Sequence, residues 1–334
     1  MFENFKISKF KIIINPLEDI ILPKYKGSTF RGGFGNSFRG IACVNKKWDC
    51  EECLLKEKCI YSYIFETPLP RDSELQKKNS YVPHPFIIEP PLEHKELFKK
   101  DEFISFDLIL IGKAIEYLPY FIFAFKELGN KGIGKGRGKY FLERVENYPN
   151  NIEKSIRKNN SKCNYGTKLV YDGKDKIFLD EYHIITEKDI KEIFNDFNGT
   201  GKITLEFLTP TRIKLHGKLI SQLEFYVFVK NLLRRISALF YFHSSNPVEL
   251  DYAELINTAE DIKISNSELY WYDWERYSSR QSSKMKLGGF KGRISFKETK
   301  RGLIKKYLPL IILGEYIHIG KGTSFGLGKY KICK

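Results

Sequence analysis

The chain has 334 residues, 42% of them apolar and 15% aromatic, and 56 Lys+Arg against 41 Asp+Glu give a formal net charge of +15. That apolar content excludes a disordered chain, and the basic excess favours a polyanionic partner, nucleic acid ahead of an anionic membrane surface. No apolar run reaches about 20 residues and the start MFENFKISKF is no signal peptide, so a membrane partner is not expected and the cytoplasm is the expected location.

A length of this size predicts two domains at ~100–200 residues each. Residues 5–15 read as a strand. In residues 25–44, YKGSTFRGGFGNSFRGIACV, Phe30, Phe34 and Phe38 recur every fourth position and predict an aromatic helical face, with Arg31 and Arg39 elsewhere on the helix. Gly32, Gly33 and Gly35 each weaken a helix by roughly 1 kcal/mol against Ala. A helix that forms in spite of them implies a close approach, either tight packing on a sheet or RNA backbone near the helix N-terminus.

Cysteines follow at Cys43, Cys50, Cys53 and Cys59, with Cys163 and Cys333 apart from them. In a cytosolic chain such clustering points to a metal rather than to disulfides, and four thiolates suit a structural tetrahedral zinc site. An iron–sulfur cluster takes the same donors, and buried free thiols are the bland alternative. Pro68, Pro70, Pro83, Pro85, Pro90 and Pro91 then predict an extended surface crossover. Residues 102–112 read as a central strand. Residues 114–128 form a helical face through Ile115, Leu118, Ile122, Phe125 and Leu128, and a glycine loop, GIGKGRGKY at 132–140, leads into a strand at 139–145. Residues 150–168 are a polar loop, and 186–197 a helix capped by Thr186.

A second unit starts near Gly201. It comprises a strand at 202–207, a long helix at 223–242 carrying Arg234 and Arg235, and a hairpin over 271–296. A helix at 303–313, a second glycine loop (GKGTSFGLGKY, 320–330) and a last strand complete it. The two loops align without a gap. Tyr117-Leu118-Pro119 falls on Tyr307-Leu308-Pro309, Lys131 on Lys321, Gly132 on Gly322, Gly136 on Gly326, and Gly138-Lys139-Tyr140 on Gly328-Lys329-Tyr330. A duplicated unit is implied: a helix with Pro near its start, a glycine–lysine loop, then a strand. Both halves read as strand, helix, two strands, helix, strand. The expected fold is α+β, with tandem ferredoxin-like (RRM-like, βαββαβ) domains at 1–195 and 196–334, glycine-rich loops and a cysteine-rich insertion at 43–59.

Several segments in this order resemble the CRISPR-associated endoribonucleases of the RAMP superfamily that cut precursor CRISPR RNA. They are FRGGFGNSFRGIAC (30–43), CEECLLKEKCIY, PHPFIIEPP (83–91), the first glycine loop, LEFLTPTRIK (205–214), DWERYSSRQSSKMKLGGFKG (273–292) and the terminal glycine loop. The resemblance covers nearly the whole chain. It implies binding of one CRISPR repeat and cleavage without a catalytic cofactor, the 2′-hydroxyl attacking the adjacent phosphate to leave a 2′,3′-cyclic phosphate and a 5′-hydroxyl. The rival reading is a non-catalytic RNA-binding subunit of a CRISPR effector complex.

Glycine loops aim backbone N–H groups into one concavity and admit a phosphate without side-chain clash. This makes Gly320, Lys321, Gly322, Gly326, Gly328 and Lys329 RNA-binding candidates, with Lys135 and Arg137 in the first copy and Arg31 and Arg39 on the first helix. In the hairpin, Arg276, Arg280, Lys284 and Lys286 alternate with Trp271, Trp274 and Tyr277, pairing cations for phosphates with aromatics for bases. The family places a histidine shortly after the first helix. Here the cysteine segment occupies that place, so the base is sought at His243, which ends the long helix, with His84 as a second histidine in a family segment. Some relatives use lysine and tyrosine instead, which brings in Tyr25, Lys26, Lys46 and Lys47.

Overall fold

The computed structural model describes residues 2–44, 49–68, 82–148, 167–195, 197, 201–244, 250–278 and 283–333, the side chains of 275–278 and 283–286 excepted. Its elements in chain order are β1 (Ile7–Pro16), β2 (Ile20–Ile21), α1 (Gly27–Ala42), α2 (Ile60–Phe65), β3 (Phe86–Glu89), β4 (Leu97–Phe98), β5 (Ile104–Ile111), α3 (Leu118–Lys131), β6 (Tyr140–Asn147), β7 (Lys168–Asp172), β8 (Ile177–Phe178) and α4 (Glu187–Asn195). The second half holds β9 (Lys202–Thr211), β10 (Lys214–Leu215), β11 (Lys218–Leu219), α5 (Phe225–His243), α6 (Tyr252–Ala259), β12 (Ile262–Ser278), β13 (Ser283–Glu298), α7 (Leu303–Ile317) and β14 (Tyr330–Cys333). Short 3-10 turns precede α3 (Gly112–Tyr117) and interrupt the second glycine loop (Thr323–Phe325).

The fold is mixed α+β with antiparallel sheets. The first sheet runs β3-β5-β1-β6-β7-β8 and the second β12-β13-β9-β14. In each, the strand that opens the unit lies between the strand that closes it and the strand before the second helix. Alternation explains β1: Phe10, Ile12 and Ile14 are buried beneath α1 and α3, whereas Ile7 points to the other face. Phe30, Phe34 and Phe38 of α1 are fully buried, and Phe34 stacks on Phe121 and Phe125 of α3 at 5.1 and 4.7 Å.

One end of the far face of the first sheet is covered as well, although Ser105 at its other end is exposed. Ile87, Ile109 and Ile111 join Ile190 and Ile193 of α4 and the core beneath α5 and α7. The expected cut after residue 195 therefore crosses a shared apolar core, in which α4 packs with the second half. At the start of α4 the Asp189 carboxylate reaches back, its Oδ2 accepting from the Thr186 backbone N–H at 2.7 Å and from the Thr186 hydroxyl at 2.9 Å, the second arm of a capping box.

Two local expectations are corrected. The proline passage is not all surface crossover, because Phe86–Glu89 is a strand buried at all four positions. Pro83, Pro85, Pro90 and Pro91 flank it at a sheet edge, where a missing N–H is tolerated, and the second glycine loop covers that edge; Pro70 lies outside the described residues. Pro119 lies in the first turn of α3, but its counterpart Pro309 lies inside α7, which extends further toward its N-terminus.

The tyrosine after each glycine loop anchors back onto the helix before that loop. The Tyr140 hydroxyl donates to the Phe125 carbonyl at 2.8 Å, and the Tyr330 hydroxyl to that of Ile311 at 2.7 Å. Gly129 and Gly314, which are not counterparts in the gapless frame, each leave room for one of these tyrosines: an added Cβ would stand 2.4 Å from the Tyr140 carbonyl oxygen and 2.0 Å from the Tyr330 hydroxyl.

Candidate nucleic-acid interface

A cleft of about 880 Å³ lies between α1 and the first glycine loop. Helix α1 contributes Ser28, Arg31, Gly32 and Asn36; the loop contributes Lys131, Lys135 and Arg137; Phe325 of the second glycine loop also lines it. The α1 glycines divide by role. A Cβ on Gly33 would meet Leu128 at 2.7 Å, so that position serves packing, whereas a Cβ on Gly32 would meet nothing within 4 Å. Lys131 lies along the helix, its Nζ 3.2 Å from where a Gly40 Cβ would stand. Lys135, Gly136 and Arg137 are exposed at the loop tip, where a Cβ on Gly136 would also be in open space.

Arg31 is held in place. Its Nη2 lies 3.1 Å from His84 Nε2, and its guanidinium stacks over Phe65 and Phe325 at 5.0 and 5.3 Å. Burial, then the charge of Arg31, drives the His84 pKa down to about 3, so the neutral ring accepts from the guanidinium. Arg39 stacks over Tyr61 at 5.4 Å, near the same cleft.

The second glycine loop locks the two halves together. The Tyr25 hydroxyl donates to the Phe325 carbonyl at 2.8 Å, and its ring packs on Trp274 of the long hairpin at 4.7 Å. A Cβ on Gly326 would stand 2.5 Å from Pro90 and 2.8 Å from the Ile88 carbonyl oxygen, so only glycine fits against β3 at its φ of +80°. Gly328 donates its N–H to the Pro210 carbonyl. Beneath the loop, Glu89 is 4% exposed and is approached from three segments: Lys9 at 2.9 Å, Lys329 at 2.8 Å and His318 Nε2 at 2.7 Å. His318 Nδ1 faces the Leu327 carbonyl at 3.0 Å. Against the upward push of burial, the charges of Lys329 and Lys9 hold Glu89 well below the usual carboxylate range. Lys329 is thus engaged by protein, whereas Gly320, Lys321 and Gly322 form the outer half of the loop.

The structure corrects the candidate bases it describes. His243 is 3% exposed; its Nε2 lies 2.8 Å from the Pro83 carbonyl and its Nδ1 3.2 Å from the Tyr63 hydroxyl. Burial lowers its pKa to about 4, so it is a neutral buried ring that joins α5 to the first half and does not face the cleft. Burial, then the charge of Glu89, holds the Tyr25 hydroxyl well above the usual tyrosine range, and its proton is given to Phe325. Lys26 is fully buried, donates to the Glu93 carbonyl at 2.6 Å, and has its pKa lowered by that burial. Lys46 and Lys47 lie outside the described residues, as does Arg280; Arg276, Lys284 and Lys286 sit on the paired strands β12 and β13.

The four thiols lie half-buried after α1. Cys50 is pushed up, first by burial, and it feels the charges of Cys43 and Cys59. Among the described residues, however, no three His, Cys, Asp or Glu side chains converge closely enough to hold a metal. The expected four-thiolate site is therefore not assembled in this arrangement. Sequence reasoning missed Lys131, Asn36 and Phe325 as cleft residues. The alignment of Lys131 with Lys321 was the available signal for the first of them.

Comparison with known proteins places this geometry. Residues 205–330 match the family model for CRISPR-associated endoribonuclease Cas6, and residues 5–168 match a model described as an N-terminal domain, AF_1859_N. An uncharacterized protein of Archaeoglobus fulgidus is 24% identical over 316 residues, 93% of this chain and 92% of that one. The CRISPR-associated endoribonuclease Cas6 of Streptococcus thermophilus is 25% identical over 142 residues, 42% of this chain and 54% of the relative. Among solved structures, Thermus thermophilus Cas6 (TTHB231) is 14% identical with a TM-score of 0.54, covering 98% of this chain and 99% of that one. A chain of a partial Cas6-RT-Cas1–Cas2 complex, 14% identical, gives 0.59 over 99% of this chain and 47% of its own. At such identities the structures show a shared fold. The chain therefore resembles CRISPR-associated endoribonuclease Cas6, in sequence over its second half and in fold over nearly its whole length.

Proposed function

We propose that this chain, built as tandem ferredoxin-like domains, binds CRISPR repeat RNA and cleaves precursor CRISPR RNA into guide units. The observation that carries the reading is the cleft. The open glycine face of α1, the exposed loop tip and the cations Arg31, Lys131, Lys135 and Arg137 line one cleft of about 880 Å³. Phosphates fit such a groove because glycines leave room and the cations neutralise their charge.

The proposed reaction needs no metal in its chemistry. The 2′-hydroxyl loses its proton and its oxygen attacks the adjacent phosphorus. The bond from phosphorus to the 5′-oxygen breaks, and that oxygen gains a proton, leaving a 2′,3′-cyclic phosphate and a 5′-hydroxyl. Negative charge builds on the non-bridging oxygens at the transition state, and fixed cations in the cleft stabilise it most where they are preorganised. Arg31, clamped between two aromatic rings and His84, is the preorganised one.

One observation favours a second reading, a non-catalytic RNA-binding subunit. His84 and His243 are buried, and their interactions are with protein rather than with the cleft. Incubating the protein with repeat-containing RNA in EDTA and mapping the ends separates the readings. A single cut ending in a cyclic phosphate supports cleavage. Tight binding with no cut overturns it in favour of the second. The four-cysteine segment enters the proposal only as a structural zinc staple, or an iron–sulfur cluster, away from the chemistry. Elemental analysis finding less than about one equivalent of either metal per chain removes it.

A further inference from the structure

The duplicated frame sets Lys321 where the first half has Lys131. Lys131 lines the cleft between its glycine loop and α1, the first helix of its unit. Lys321 sits at the mouth of the second loop, and the first helix of that unit is α5. Three further cations lie near it. The Lys321 backbone N–H donates to the Arg212 carbonyl at 2.9 Å, and Gly320 approaches the same oxygen so closely that a Cβ would stand 2.6 Å away. Lys214 follows in the same turn, and Arg234 projects from α5, hydrogen-bonded to Asn231 at 3.1 Å. Lys214, Arg234 and Lys321 are exposed.

No carboxylate answers this cluster. Among the described residues none of the four cations makes an ion pair, in contrast to Lys9 and Lys329 beneath the same loop. Arg212 Nη1 is buried with no hydrogen-bond partner. Lys321 is held below the usual lysine range, first by burial and then by the positive charges of Lys214, Arg234 and Arg212. Like charges gathered without a counter-charge, beside an unmatched buried donor, describe an anion site. Phe325 lines the first cleft four residues further on, so the backbones of Lys321 and Phe325 lie at most about 14 Å apart.

We propose that Arg212, Lys214, Arg234 and Lys321 form a second phosphodiester-binding site, the counterpart in the second half of the α1 cleft, so that one RNA strand is gripped by both halves. This rests on the RNA-binding reading above. The site takes the backbone of the strand leaving the first cleft and carries no base specificity, because its groups are cations without stacking partners.

The test compares wild type with the Lys214→Ala, Arg234→Ala double variant. Binding is measured against a repeat-length RNA and a dinucleotide with a single phosphodiester, too short to reach from the first cleft to the second site. For the long RNA the variant's affinity falls about tenfold, and the slope of log K against log salt shrinks by about 1.4, roughly 0.7 per lost phosphate contact on a single strand. Affinity for the dinucleotide, held in the first cleft, changes less than about twofold. A variant that binds the long RNA as wild type does overturns the second site and leaves the RNA reading standing. Wild-type protein that binds neither RNA overturns both.

Discussion

Glu89→Gln removes one charge and almost no volume from the joint between the halves. The carboxylate accepts from Lys9, Lys329 and His318, and each donor comes from a different segment: β1, the start of β14, and the residue after α7. Breaking a buried pair by removing one partner costs about 3–5 kcal/mol, because the remaining charge stays desolvated. Two features place the cost at the lower end. Lys9 keeps Asp107 at 3.2 Å, and the side chains of Lys9 and Lys329 are 20% and 22% exposed, so water screens part of the loss. With 334 residues at about 2.1 cal/mol/K each, the unfolding entropy is about 0.7 kcal/mol/K, so 3 kcal/mol lowers Tm by about 4 °C. Scanning calorimetry near neutral pH measures this directly. The pH dependence has a definite sign. Glu89 has a folded pKa held below its unfolded value, so its stabilisation is present above about pH 4.5 and fades as pH falls through the folded value. The gap between wild type and variant should therefore narrow in acid. Melting temperatures within about 1 °C of each other at neutral pH would show that the lysines are hydrated rather than dependent on Glu89, and the reasoning would fail.

Lys135→Ala with Arg137→Ala leaves the fold intact, since both side chains are exposed, and reduces the salt slope of RNA binding by about 1.4; an unchanged slope takes the loop tip off the RNA path. Gly32→Ala stabilises the protein by up to about 1 kcal/mol, because its Cβ enters open space. Gly27→Ala destabilises it, because its Cβ would stand 2.0 Å from the Phe325 carbonyl oxygen, and equal effects in calorimetry would contradict the packing described. His243→Ala loses about 1–3 kcal/mol of stability through the unmatched Pro83 carbonyl and Tyr63 hydroxyl. It retains cleavage, and loss of cleavage at unchanged stability would reinstate His243 as the base. His84 and His243 are held neutral, near 3 and 4, below the unfolded value of about 6.5. The unfolded chain binds their protons first as pH falls, so stability is full above about pH 6.5 and declines toward pH 4, a trend thermal melts across that window can check.

Most of the framework was legible because its signals are local. The spacing of Phe30, Phe34 and Phe38 gave α1, and the two glycine loops each follow a helix and lead into a strand, as read. Residues that depend on long-range partners were not legible. His243 looked available because it ends a helix, yet Tyr63 and Pro83, 180 and 160 residues earlier, occupy its ring. Glu89 carried no signal in a proline-rich passage, although Lys9, His318 and Lys329 converge on it from both ends of the chain. The shared core was hidden for the same reason. Alternation in β1 and β5 gives one apolar face, and the isoleucines on the mixed outer face (Ile7, Ile109, Ile111) do not announce that they meet α4 and the second half.

The two copies of the glycine loop have divided what one loop would otherwise do alone. In the first, Lys135 and Arg137 point outward and the loop closes on its own unit through the Ile133–Gly138 bridge. In the second, residues 325–329 are pressed onto β3, Tyr25 and Glu89, and only the segment around Lys321 is left to meet a ligand. On the proposed reading, the terminal loop would hold RNA at its start while its end packs on the first half. A strand spanning both sites would cross the joint that Glu89 holds shut. Weakening that joint should then lower affinity for long RNA without affecting an oligonucleotide confined to the first cleft. That difference distinguishes a joint that aligns two binding sites from one that only stabilises the fold.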